Sequence, residues 1–231
     1  MPADTPSRSG RRYSAFVGIA FLILIVIATV NTIRTQNGGI LGVSRGNGGM
    51  PLPEFAVPNA RTGPLDMDAN IYQDDCSTSQ NPCPPDARRR SACQIPKQGA
   101  IRVCDLFDRP LVLSFWFTKG ANCLPTQDLV DQAAARYRGR VNFLSIDIRD
   151  DPSTVRQIVS EHGWKMPVGY DRDGAVSDLY RVGVCPTVAF AYPGGILDFA
   201  KIGADQLSAP QIAGDVQRLL RQSRERARED R

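Results

Sequence analysis

The stretch Leu111-Val-Leu-Ser-Phe-Trp-Phe117, continuing Thr118-Lys-Gly-Ala-Asn-Cys123, decides how this chain folds. Its first part is apolar on both faces. That pattern suits a central strand covered by helices on either side. After Cys123, Leu129, Val130, Ala133, Ala134 and Tyr137 recur at helical spacing, so a helix is expected from Cys123 to Tyr137. Pro125 suits its first turn, where an N–H has no intrahelical partner anyway, and Gly139 stops it. Cys123 therefore sits where a strand turns into a helix. Unpaired N–H groups and the helix dipole stabilise a thiolate there and lower its pKa. Lys119 adds positive potential if it points that way. A buried thiol at such a corner is instead inert.

Working outward, the pattern stays regular. A short strand is expected over Ile101–Asp105, and another over Val141–Asp147. Asp151-Pro152 opens a helix through about His162, with Val155, Ile158 and Val159 facing inward. Met166–Gly169 is extended and Ala175–Arg181 is a short helix. Thr187–Tyr192 and Ile196–Ile202 form paired strands around the turn Pro193-Gly194-Gly195. Ser208-Ala-Pro210 opens a closing helix faced by Ile212, Val216, Leu219 and Leu220. Upstream, Phe55–Val57 and Ile71–Tyr72 suggest an edge hairpin.

The N-terminus is of another kind. Tyr13 to Ile33 is 21 residues without a charge. As a helix it reaches about 31 Å, the thickness of a bilayer's hydrocarbon core. A cleaved signal peptide has the same basic start, but the run exceeds a typical apolar core of one, and no small-x-small site follows at once. An anchor over 13–33 is expected. Arg8, Arg11 and Arg12 precede it and Arg34 alone closely follows, so residues 1–12 belong in the cytoplasm and the rest outside. The glycine-rich linker 34–51 then tethers a globular domain over 52–222, and a charged tail occupies 223–231.

Six cysteines fit an oxidising compartment. Cys76, Cys83, Cys93 and Cys104 mark a loop-rich insertion over 76–104 that needs covalent staples, and they allow three pairings. Zinc is the alternative, but paired C-x2-C spacing is missing and the single histidine, His162, is distant. A helix-end contact explains His162, and solvated caps explain Asp147 and Asp150. The net charge of +4 is uneven, with Arg218, Arg221, Arg224, Arg226, Arg228 and Arg231 crowding the end. Without interleaved aromatics this reads as a solvated face, not a nucleic-acid site. No phosphate loop, Ser-His-Asp set or metal cluster appears, so no cofactor and no metal are expected.

Several fragments together carry a resemblance: Leu111 to Trp116 with the Cys123 corner, Val141 to Asp147, Tyr180-Arg-Val-Gly-Val-Cys-Pro-Thr187, and Tyr192-Pro-Gly-Gly-Ile-Leu197. The chain resembles the membrane-tethered thioredoxin-like proteins of the TlpA/ResA and AhpC/TSA families, over about 100–222 and more loosely 52–222. The resemblance implies an α/β thioredoxin-like fold, a mixed sheet flanked by helices. It also implies a C-x-x-C pair at the corner, where this chain has Gly120 in place of the first cysteine. It implies that Pro186 is cis, which would bring Cys185 close to residues 120–123 and make a Cys123–Cys185 disulfide feasible. Alternatively, Cys185 points into the core.

Three functions follow from that resemblance. The first is thiol–disulfide exchange by Cys123 with Cys185, with Trp116, Gly120 and Pro186 lining a groove for a thiol- or disulfide-bearing protein substrate or redox partner. The second is a redox-inactive binding module of the cell envelope, which Gly120 favours. The third is peroxide reduction by Cys123. The threonine a peroxiredoxin keeps three residues before its cysteine is absent here, because Gly120 holds that place.

Overall fold

The computed structural model of the chain describes residues 17–27, 49–73, 77–78, 81–82 and 90–229. Residues 17–27 form one helix, α1, with every side chain exposed. Among the described residues no helix is long and apolar enough to cross a membrane. The rest of the expected span 13–33 lies outside the described residues, as do most of the linker and both Cys76 and Cys83.

The domain is built on a five-stranded sheet. Strands β5 (Leu111–Trp116), β6 (Asn142–Asp147) and β7 (Val168–Tyr170) run parallel, and β8 (Thr187–Tyr192) and β9 (Ile196–Ile202) antiparallel, in the order β7-β6-β5-β8-β9. Every residue of the central β5 is buried, as its two-faced apolar pattern requires. Four helices complete the layers: α2 (Leu124–Arg136), α3 (Pro152–Glu161), α4 (Ala175–Tyr180) and α5 (Ala209–Glu229).

The sheet separates two cores because successive strand residues face opposite sides. Val112, Trp116, Phe143, Val188 and Phe190 pack under α2, α3 and α5 through Val130, Val159, Val216 and Leu219. Leu111, Leu113, Phe115, Leu144 and Ile146 face the other side, against α4 and the segment carrying Phe55 and Val57. A buried polar chain fixes α2 on the sheet. The Gln127 amide donates to Ser114 Oγ (2.6 Å), and Ser145 Oγ donates to Gln127 Oε1 (2.9 Å).

Several expectations change in detail. The segment Phe55–Val57 does not form a hairpin with Ile71–Tyr72. Strand β1 (Ala56–Pro58) pairs antiparallel with β4 (Ala100–Arg102), and Ala56 meets Asn70 in a single bridge. The strand expected over 101–105 yields to a 3-10 turn at Val103–Leu106, where Phe107 donates back to the Cys104 carbonyl. Short strands β2 (Ser77–Thr78) and β3 (Asn81–Pro82) form a hairpin inside the Cys-rich insertion. The closing helix runs through most of the charged tail to Glu229.

Candidate functional site: a cysteine pair at the cis-proline corner

Cys123 is the N-cap of α2, and its carbonyl accepts from the N–H groups of Thr126 and Gln127, both at 3.2 Å. The helix begins one residue later than the pattern suggested. Gly120, Ala121 and Asn122 therefore belong to the loop, and Gly120 has a φ of +86°. A side chain there would meet no atom within 4 Å, so the backbone angle and not space favours glycine.

The Cys185–Pro186 peptide bond is cis. The loop holding it is tied at both ends: Thr187 Oγ1 donates to the Val184 carbonyl (2.6 Å), and Gly203 N–H donates to the Pro186 carbonyl (2.9 Å). Cys185 faces the start of α2, and Cys123 and Cys185 are joined in a disulfide with a Cα separation of 6.0 Å, across 62 positions of sequence. That separation is ordinary for a disulfide. The two sulfurs are not equivalent. Cys123 is 1 % exposed, whereas Cys185 is half-buried and its Sγ lies 3.5 Å from the Phe117 carbonyl oxygen. The neighbours Gly120, Asn122, Gly183 and Val184 are exposed, Val184 at 54 %.

Acidic residues hold the corner from below. Asp150 accepts from the N–H groups of Thr118 (2.5 Å) and Lys119 (3.2 Å), fixing the loop that leads to Gly120. Asp147, at the end of β6, is fully buried and accepts from the N–H groups of Arg149 (3.0 Å) and Asp150 (2.8 Å). Its second oxygen has no hydrogen-bond partner. Burial raises its pKa to about 8 against the lowering by the Arg149 N–H, and the charge of Asp150 raises it further. These two carboxylates are thus buried, not the solvated caps the sequence suggested. The signal available was their place after the β6 strand end.

The Lys119 ammonium pairs with Asp151 at 2.8 Å. Trp116 is fully buried and packs edge-on against Trp164 (centroids 5.2 Å apart), beside the corner. Pro186 is buried behind Cys185. His162 follows α3, and its Nδ1 lies 2.8 Å from Asp128 Oδ1, an oxygen that also accepts from Trp164 Nε1. In the insertion, Cys93 is bonded to Cys104. With Glu54 these two place ligand atoms within 4.8 Å of one another, but both sulfurs are engaged in the disulfide.

No family model matches the chain. Among curated proteins it is similar to the thiol-disulfide oxidoreductase ResA of Oceanobacillus iheyensis, 26% identical over 121 residues, 52% of this chain and 63% of that protein. It is also similar to ResA of Bacillus thuringiensis, 26% identical over 88 residues, 38% of this chain and 51% of that protein. The chain thus spans less than two thirds of the length of these relatives. Among solved structures it is similar to a candidate thiol:disulfide interchange protein DsbE from Chlorobium tepidum. The TM-score is 0.53 at 15% identity, covering 75% of this chain and 97% of the other. The C-terminal domain of a candidate thiol-disulfide oxidoreductase from Bacteroides thetaiotaomicron gives 0.51 at 14% identity, covering 75% and 96%. At those identities the structures speak for the fold alone: the chain has a thioredoxin-like fold, and in sequence it is similar to the ResA thiol-disulfide oxidoreductases.

Proposed function

We propose that this protein is a membrane-tethered, extracytoplasmic thiol–disulfide oxidoreductase whose redox couple is Cys123 with Cys185. The observation that carries the reading is the disulfide joining the start of α2 to the cis-proline loop. It supplies the second thiol that Gly120 fails to supply. The similarity to ResA supports the reaction class.

Access assigns the roles. A substrate thiolate attacks the half-exposed Cys185 sulfur and displaces Cys123 as a thiolate, forming a mixed disulfide. The helix start stabilises that leaving thiolate. A second substrate thiolate then attacks the substrate sulfur of the mixed bond and releases Cys185. Two electrons and two protons pass from the substrate dithiol, which ends as a disulfide, while the protein ends as a dithiol. Run backward, the same steps reduce a substrate disulfide. Cys185 thus takes the role that a cysteine at position 120 would have in a C-x-x-C site, and Cys123 keeps the resolving one.

The test is equilibration of the purified chain with a dithiol peptide, followed by thiol blocking and mass spectrometry. Oxidation of the peptide matched by alkylation of both Cys123 and Cys185 is expected. A pair that stays bonded while the peptide stays reduced would leave the second reading, a binding module, which the glycine at position 120 favours. In that case the exposed strip beside Val184 would bind an extended segment by backbone pairing.

A further inference from the structure

We propose that the end of the domain opposite the cysteine pair is an electropositive face that docks on an anionic phospholipid surface. The proposal rests on the tethered reading above. Helix α2 leaves the corner at Leu124 and reaches the far end of the sheet at Arg136. There the chain turns back, and Asn142 starts β6 beside Leu111. Helix α5 comes down to the same end, where Tyr192, the last residue of β8, donates its hydroxyl to Gln222 and stacks under Arg226 at 4.1 Å.

Between the two helix ends lies an open cavity of about 370 Å³, lined by Arg136, Arg140, Arg221 and Arg224 with Tyr137. No carboxylate is among its lining residues. None of these four guanidinium groups enters an ion pair among the described residues. Arg136 and Arg140 hold their guanidinium carbons 5.6 and 5.0 Å from the Tyr137 ring, so their charges are placed on a buried aromatic anchor. On α5, residues 217, 220, 221, 224 and 228 form one stripe at helical spacing, and the stripe carries Arg221, Arg224 and Arg228. A second hollow at this end adds Arg138 and Lys165, with Arg109, which pairs with Asp108 at 3.3 Å.

The occupant follows from where the chain enters. Gly49 N–H donates to the Leu197 carbonyl (2.8 Å) and Leu52 N–H to the Gly195 carbonyl (2.7 Å), which is the end of the sheet where the arginines lie. Residues 34–48 are all that separates this point of entry from the expected span 13–33. On the tethered reading the chain thus enters the domain at the arginine end, whereas the cysteine pair, with Asp150 beside it, lies at the opposite end of the sheet. Charges spread over two open hollows suit a sheet of phosphate headgroups better than one soluble anion.

The full chain placed in nanodiscs of phosphatidylcholine or of phosphatidylglycerol tests the proposal by amide exchange. Slower exchange over 136–140 and 217–228 is expected in the phosphatidylglycerol discs alone, and it fades as salt rises. Each arginine near such a surface strengthens binding about fivefold, so Arg221→Gln with Arg224→Gln weakens it about 25-fold. Equal exchange in both discs overturns the proposal. So does the same protection produced in phosphatidylcholine discs by glycerol phosphate, which would mark a soluble-anion site. If the chain enters neither disc, the tether reading fails by itself. Flotation of the free chain with phosphatidylglycerol vesicles then reads the face alone: binding lost in the double variant supports it, and no binding overturns it.

Discussion

Burial divides the two cysteines more sharply than their positions in sequence do. Cys123 is sealed at 1 % exposure while Cys185 meets solvent, so a partner can reach only one sulfur. In Cys123→Ser, the Cys185 thiol is left without its resolving partner and should retain mixed disulfides. In Cys185→Ser, the remaining thiol is buried and should retain on the order of ten times less. Non-reducing gels of protein trapped with a dithiol peptide read the difference, and equal trapping by both variants would sink the assigned roles. Asp147 makes a second prediction. Its folded pKa, about 8, lies above the value of an unfolded aspartate, because burial disfavours the charge. The folded state therefore binds the proton more tightly. The stability this contributes is fully present below about pH 4 and is lost as pH rises through about 8. Asp147→Asn removes that dependence while keeping an acceptor for Arg149 and Asp150. Its melting temperature should exceed that of the parent by a margin that widens from pH 5 to pH 9. Parallel curves would show that Asp147 titrates normally. Neither asymmetry is legible in the sequence, which gives residue types and spacing but not depth.

At the scale of elements, the corner between β5 and α2 was legible as a strand turning into a helix beside a thiol. The pattern of Leu129, Val130 and Ala133 found the helix because apolar spacing reports burial directly. It missed Gln127, because a polar residue on the buried face leaves no apolar mark, although Gln127 links α2 to Ser114 and Ser145. It likewise missed that the helix starts after Cys123, since apolar spacing does not tell the N-cap residue from the first helical one. Asp150→Ala leaves the N–H groups of Thr118 and Lys119 without their acceptor and should cost about 1–3 kcal/mol, measured by denaturant unfolding. Amide exchange should quicken first over residues 117–120, and unchanged exchange there would mean that the loop is held by something else. Gly120→Cys tests the same corner from its other side. The new side chain has room, but φ at +86° costs an L-residue about 1–2 kcal/mol. A pair with Cys123 would also require the helix to begin before Cys123. The introduced thiol should therefore stay free and alkylate, with Cys123 still bonded to Cys185. A bond between positions 120 and 123 would show the corner to be pliant.

The whole molecule is closed by two described disulfides of different reach, and their energetics separate a staple from an exchange site. Cys93–Cys104 spans 11 positions, which by loop entropy stabilises the fold by up to about 3 kcal/mol; Cys123–Cys185 spans 62, with a limit of about 4 kcal/mol. A staple approaches its limit, because the folded state presents the two thiols ready to bond and gains nothing from their separation. An exchange site falls short of it, because the reduced folded state has its own stabilisation, which in the proposed mechanism the start of α2 gives to Cys123. The sheet and its two cores do not need the longer bond: β5 pairs with β6 and β8 along its length, and the apolar packing closes on both faces. Unfolding of oxidised and reduced protein makes the distinction, in the background Cys93→Ser with Cys104→Ser and in the background Cys123→Ser with Cys185→Ser, with Cys76 and Cys83 replaced by Ser in both. Reduction should cost clearly less than about 4 kcal/mol in the first background and leave a cooperative transition, and close to the limit of about 3 kcal/mol in the second. If removing Cys123–Cys185 costs its full loop entropy, the reduced form carries no stabilisation of its own, and the bond across the cis-proline corner is a staple in a fold that no longer exchanges electrons.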